Sequence, residues 1–307
     1  MSKPIISALV STYNSERFMR GCLEDLEQQT IASQLEIIVV DSASTQNEQA
    51  IVRELMNKYK NIKYIRTDQR EGLYEAWNRA VGMATGDYLT SANTDDRHRH
   101  DSFEILSSEL EKHPECVLSY ADQLTSTIEN EGFESCLARH TRRYNLPDFS
   151  HAALLLGCLT GSQPMWRRSA HLEHGMFSKK YRLAADYEFW MRIAQTHQFV
   201  HVRQPLGVFF DSPHTLSGAN NRFQVDTETL YIQLEYLLKE PWCRIDGSRA
   251  GLAKTIFTIG YHYVEKLHDP DKAKPFLKEA WKLDPTNFNL AKTFVLRGLL
   301  GIQLGLE

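Results

Sequence analysis

Two periodicities alternate along the first 126 residues. Apolar, β-branched runs occur at IISALVSTY (5–13), LEIIVVDSAS (35–44), IKYIRTD (62–68), YLTSAN (88–93) and CVLSYADQLTS (116–126). Runs of this length without polar interruption predict strands buried on both faces. Between them, apolar residues recur at helical spacing. Such segments are 15–29, with Ser15 as candidate cap, 48–60, and 73–84, closed by a TGD turn. Another spans 102–112, where Asp101 and Glu104 form a capping-box-like pair. Strand–helix alternation at this spacing predicts an α/β fold with a mostly parallel, doubly wound central sheet.

The pattern loosens over 128–160. It then gives an amphipathic helix at 183–197, a strand at 199–210 and a polar loop, DSPHTLSGANN (211–221). Everything after 222 reads as helix. PDKAKPFLKEAWKLDPTN (270–287) resembles one tetratricopeptide-type helix with its Asp-Pro turn. One copy has no neighbouring repeat to bury its face against. It therefore reads as a helical appendix and a docking surface for a protein partner or a second copy. The expected division is an α/β domain over 1–218 and a helical region over 219–307.

Composition removes several classes. The 307 residues carry a net charge of −4, which argues against a nucleic-acid groove. Five cysteines are scattered without CxxC or Cys/His ligand spacing, as expected of reduced thiols in the cytoplasm. The N-terminal apolar run is too short for a signal-peptide core, and AALLLGCLTG (152–161) is too short to span a membrane. FVLRGLLGIQLGL (294–306) reads as a packed last helix; its alternative is a peripheral contact at the inner face of the membrane.

In an open parallel sheet, ligands bind beyond the carboxyl ends of the strands. The segments after the first four strands are STYNSERF, DSAST, DQREG and NTDDR. All are polar, and none is a glycine-rich phosphate cradle or a P-loop. Each has an ordinary structural alternative. Asn14 or Ser15 caps a helix, Asp41 closes an Asx turn, Arg70 is a solvated charge, and Asp95 with Asp96 pairs with Arg97. Adjacent carboxylates otherwise need a cation, and oxygen ligands favour Mn²⁺ or Mg²⁺ over zinc.

In this order and spacing the segments resemble the family 2 glycosyltransferases, the inverting, metal-dependent type with the A-type fold. The resemblance covers residues 4–215 and rests on TYN, D-S-x-S, REGLYEAWNRAVGMATGDYL and N-T-D-D. GSQPMWRRSAHLEHGMF (161–177) and KYRLAADYEFWMRIA (180–194) support it. It implies that Thr12, Tyr13, Asn14 and Glu16 meet base and ribose, and that Asp41 hydrogen-bonds the base. A carboxylate there suits the N–H of uracil, which favours a UDP-sugar. It also implies that Arg70, Gly72 and Asn78 contact ribose or diphosphate.

Asn93, Thr94 and Asp95 occupy the family's Asp-x-Asp motif, with Asp95, Asp96 and His214 as metal ligands. Asn93 stands where the commonest form has its first acid. An amide still accepts a ribose hydroxyl but is a poorer metal ligand. Asp186 matches the catalytic base, with Glu188 as its nearest competitor. The implied reaction moves one sugar from a nucleotide-diphosphate sugar to a glycan or lipid-linked acceptor in surface-polysaccharide assembly. A nucleotidyltransferase lacks support, since STYNSERF has no glycine-rich signature. A non-catalytic sugar-binding scaffold is the alternative.

Overall fold

The computed structural model describes residues 5–139, 142–216, 218–237, 239–242, 248–265, 270–286 and 292. The apolar stretch 294–306 and Cys243 lie outside them. Among the described residues, nine strands form one sheet. They are β1 (Ile6–Thr12), β2 (Leu35–Asp41), β3 (Ile62–Arg66), β4 (Tyr88–Ser91), β5 (Arg97–His98), β6 (Cys116–Ser126), β7 (Arg143–Tyr144), β8 (Met165–Arg167) and β9 (Gln198–Phe210). The order is β3-β2-β1-β4-β8-β6-β9-β5, with β7 beside β6. β1 to β4 are parallel to one another, as the sequence pattern predicts. β8 is antiparallel to both β4 and β6, while β6 and β9 are parallel. The strands the pattern does not predict, β5, β7 and β8, are two or three residues long, too short to show a period.

The helices are α1 (Glu16–Glu27), α2 (Glu48–Lys58), α3 (Leu73–Met83), α4 (Ser102–Lys112), α5 (Phe133–Ala138), α6 (His151–Leu156), α7 (Ser169–His174), α8 (Ala185–Ile193), α9 (Arg222–Leu237), α10 (Ser248–Glu265) and α11 (Pro270–Leu283). One face of the sheet, with Ile6, Ala8, Val10, Ile37 and Val39, packs on Met19, Cys22, Leu23 and Leu26 of α1 and on Phe103, Leu106 and Leu110 of α4. α3 covers the other face of β1 and β2. Burial on both faces is why the strand runs are apolar at successive positions. Gly86 of the TGD turn is sterically required, because a Cβ there would sit 2.8 Å from the Ser7 amide nitrogen.

Neither expected helix cap forms. Ser15 Oγ bonds Thr12 Oγ1 at 2.6 Å rather than an amide of α1. Asp101 takes the Arg99 guanidinium instead (Nε–Oδ1 2.5 Å), and Glu104 accepts the Thr30 hydroxyl. A charge-assisted bond to a near neighbour outweighs an amide bond. Gln29 caps α4 in their place, its Oε1 accepting from Phe103 N at 3.1 Å and Ser102 Oγ at 3.2 Å.

Trp166 and Trp190 are core residues, ring centroids 5.2 Å apart, packed with Phe177, Phe189 and His171. The chain divides into two compact units, Met1–Ile232 and Gln233–Glu307. The division falls within α9, later than the expected 218. In the second unit, α10 and α11 stack Tyr263 on Phe276 at 5.4 Å. Among the described residues, no helix is long and apolar enough to cross a membrane.

Candidate active site

The parallel register sets Thr12, Asp41 and Arg66 side by side at the ends of β1, β2 and β3. The loops beyond are knitted together. Asn14, in the left-handed region at φ 52°, accepts the Thr45 amide at 2.8 Å, and its own amide donates to Ser44 Oγ. Glu16 holds Asn47 through amide and side chain. Thr12 is buried on Ser15. Thr12, Asn14 and Glu16, expected at base and ribose, thus spend these contacts on loop architecture.

Asp41 is fully enclosed. Its Oδ1 accepts the Ser44 amide at 2.8 Å, the Asx turn foreseen as the alternative. Its Oδ2 accepts the Tyr64 hydroxyl at 2.6 Å and Arg66 at 3.1 Å. Three of the four acceptor positions of this carboxylate are thus taken within the fold. Tyr13 and Arg70 do face outward. Tyr13 is 38% exposed, with the Arg70 guanidinium 4.0 Å above its ring. Gly72 opens α3, its amide donating to Glu75. Asn78 is committed elsewhere: its amide bridges the Phe177 backbone both ways at 2.9 Å. Both bonding groups of that amide are thereby used within the fold.

β4 ends in the turn that carries the acidic pair. Asp96 is buried; its Oδ1 accepts the Phe210 amide at 3.1 Å and its Oδ2 the Asn93 side-chain amide at 3.2 Å. Burial, then the Asp95 charge, push its carboxyl up to about 8. Burial also raises Asp95. Arg97 does not compensate them. Its guanidinium clamps Asp25 through two 2.6 Å bonds, and the remaining nitrogen donates to the Asn130 carbonyl. Arg17, whose charge reaches Asp95, is paired with Glu129 at 3.0 Å. Among the described residues, neither carboxylate of the pair has an ion-pair partner.

This donor set suits a hard divalent cation, with Asp95 the more accessible ligand. His214 comes after β9 on an exposed loop, its Nδ1 beside Asn220 at 3.2 Å. Its nitrogens and the two carboxylates do not all converge within 4.8 Å. Thr94 is buried in the same turn.

Asp186 lies in the first turn of α8. Its Oδ1 accepts the Tyr74 hydroxyl at 2.7 Å and the Tyr187 amide at 2.8 Å. Burial raises its carboxyl above the ordinary range against these two donors, and the Glu228 charge adds to the rise. Glu228, on α9, accepts the amides of Leu183 and Ala184 at 2.7 and 3.0 Å and so caps α8. Glu188 is paired with Arg192 at 2.7 Å, so it does not compete for the base role. Ser162, between the two acidic sites in sequence, donates its hydroxyl to Gln123 Oε1 at 3.2 Å.

Tyr74 and Glu228 were not among the expected site residues. Tyr74 sits in the REGLY stretch, where its place after Gly72 is a usable signal. Glu228 has no local signal, since its contact spans 44 residues.

The mostly parallel sheet, with polar loops and buried carboxylates beyond the ends of its strands, defines an α/β protein of the class that binds ligands at that edge. Residues 7–171 match the profile described as Glycosyl transferase family 2, and the chain belongs to that family. Its fold is the A-type glycosyltransferase fold. A mannosyltransferase from Pyrobaculum calidifontis, solved with GDP-Man and Mn²⁺, superposes with a TM-score of 0.64 at 14% identity, over 99% of this chain and 82% of that one. TarS 1-349 from S. aureus, solved with UDP-GlcNAc, gives 0.56 at 16%, over 92% and 74%.

Among curated relatives, chondroitin synthase of Pasteurella multocida is 25% identical over 66% of this chain, which spans only 20% of that protein. A PGL/p-HBAD biosynthesis glycosyltransferase of Mycobacterium bovis is 25% identical over 84% of this chain and 98% of its own length.

Proposed function

We propose that this chain is an inverting glycosyltransferase that moves one sugar from a nucleoside-diphosphate sugar to an acceptor hydroxyl. The observation that carries this reading is the Asp95–Asp96 pair at the carboxyl edge of the sheet, Asp96 buried and Asp95 partly so, with no ion-pair partner for either among the described residues. Asp95 and Asp96 would hold Mn²⁺ or Mg²⁺, with His214 a third ligand if its loop folds inward. Such a cation supplies neutralisation of the charge that gathers on the leaving diphosphate.

Tyr13 and Arg70 offer the exposed surface for base and ribose. Asp186 takes the acceptor hydroxyl's proton as that oxygen bonds the sugar's anomeric carbon. The bond from that carbon to phosphate breaks, and its electron pair leaves with the nucleoside diphosphate. A UDP-sugar is the favoured donor. Similarity to a chondroitin synthase and to a PGL/p-HBAD biosynthesis enzyme supports a glycan or lipid-linked acceptor in cell-surface assembly.

The test is a thermal-shift panel of UDP, GDP, dTDP and CMP, with and without Mn²⁺. Ligand at about 100 Kd adds about 2.7 kcal/mol of stability. We expect one nucleotide to shift the transition only with metal, and Asp95→Ala to remove the shift. Asp186→Asn should keep the shift and lose sugar transfer. A shift that Asp95→Ala leaves intact would refute the placement of the metal. Turnover surviving in Asp186→Asn would refute the base.

A further inference from the structure

Away from the acidic sites, the last turn of α7 and the chain just beyond α8 bring together three side chains with metal-ligating atoms. Glu173 Oε1 lies 3.2 Å from His174 Nε2, and Glu173 Oε2 lies 3.6 Å from His197 Nε2. One ligand atom from each residue falls within 4.8 Å of the other two. In a tetrahedral zinc site with bonds of about 2.0–2.1 Å, neighbouring ligand atoms are about 3.4 Å apart. The carboxylate–imidazole separations bracket that value.

The surroundings resemble those of a ligand set. Thr196 Oγ1 sits 2.8 Å from His197 Nδ1. The same hydroxyl lies 3.4 Å from His174 Nε2, and by accepting from His197 Nδ1 it would leave His197 Nε2 as the ligating nitrogen. The Arg192 guanidinium bonds the His174 carbonyl, anchoring that turn to α8. Burial, ahead of the opposing pull of Glu173, lowers the His174 imidazole.

We propose that Glu173, His174 and His197 bind a borderline divalent transition-metal ion of the Zn²⁺ class at a site separate from the acidic pair. Two imidazoles and one carboxylate select such an ion over Mg²⁺ or Ca²⁺. Water completes the coordination on the exposed side, as Glu173 is 55% exposed. α8 is nine residues long, about 13 Å, and Asp186 lies in its first turn. The ion therefore sits at the opposite end of that helix and staples α7 to it.

Isothermal titration of the full, chelator-stripped chain with Zn²⁺ alone tests the site, with His197→Gln and Glu173→Gln as variants. Both changes are at partly exposed positions, and their metal-free melting temperatures should match the parent's. We expect one Zn²⁺ to bind the parent. Each variant should lose affinity by at least the 10- to 100-fold typical of damaged metal sites. Asp95→Ala should retain the Zn²⁺ response. Absence of binding to the parent, or equal binding by parent and both variants, overturns the proposal. So does loss of the Zn²⁺ response in Asp95→Ala, which would assign the ion to the acidic pair.

Discussion

Replacing Tyr74 by Phe removes one hydroxyl and nothing else, and the structure places that hydroxyl on the proposed base. Tyr74 Oη donates to Asp186 Oδ1 at 2.7 Å, the stronger of its two contacts; Leu183 O lies at 3.2 Å. A hydrogen bond to a charged acceptor is worth about 1.5–3 kcal/mol. Because the single proton divides between two acceptors, the lower end of that range applies. At 1.36 kcal/mol per pK unit, the loss raises the Asp186 pKa by about one unit.

The sign comes from the active form. In the proposed role as base Asp186 acts as the carboxylate, so activity should rise with pH through its pKa. Burial already holds that pKa above the ordinary Asp range, and Tyr74 is among the groups that lower it. Removing Tyr74's hydroxyl must therefore move the acid limb of the kcat/KM profile to higher pH, by about one unit. At pH well above the limb, the variant and parent should converge. The assay is initial-rate sugar transfer across pH with the donor found by the nucleotide panel. An unshifted limb with a uniformly lower rate, or a shift to lower pH, would refute the assignment of Asp186 as base and Tyr74 as its positioning partner.

Three further outcomes are expected. Asn78→Ala should destabilise the fold by about 1–3 kcal/mol, because the Phe177 N–H and C=O lose their partners, while nucleotide affinity stays unchanged; denaturant melts and titration separate the two. Arg97→Ala should cost about 2–4 kcal/mol by leaving Asp25 unpaired in a nearly buried position, yet preserve the Mn²⁺-dependent nucleotide shift; loss of that shift would show that Arg97 serves the acidic pair. Glu36 is lowered to about 2 because Lys63, Ser7 and Thr85 together outweigh the opposing effect of burial. Its contribution is thus present above the unfolded Glu value of about 4.3 and lost as pH falls toward 2. Denaturation of Glu36→Gln should show lower stability at pH 7 and a flatter decline over that window than the parent.

Much of the fold was legible because it rests on local pattern. The buried parallel strands show as unbroken β-branched runs, and the helices α2, α3 and α4 show as apolar spacing whose bounds the structure reproduces closely. The family emerged from motif order along the same stretch. β8 was not legible: Met165–Arg167 is too short to carry a period, and it becomes a strand only because β4 and β6 flank it. The helix caps also failed from sequence. Ser15 and Asp101 are competent capping residues, but Thr12 and Arg99 reach them first, and Gln29 supplies the α4 cap from another segment.

The candidate site divides the same way. The sequence alone determined which residue types stand at the strand ends, because the end of each apolar run marks where its loop begins. It singled out the adjacent acids Asp95 and Asp96 by their place after a strand, and Asp186 through the resemblance of its segment to the family's motif. Tertiary structure decided what each side chain does with its bonding capacity. It turned Arg97 to Asp25, enclosed Asp41 under Tyr64 and Arg66, and spent Asn78 on Phe177. It also brought Tyr74 and Glu228 to the start of α8 across 112 and 44 residues. The physical reason is that burial and pairing are properties of neighbours in space. A carboxylate's charge state depends on which donors and which water surround it, and those are chosen only when the chain has folded.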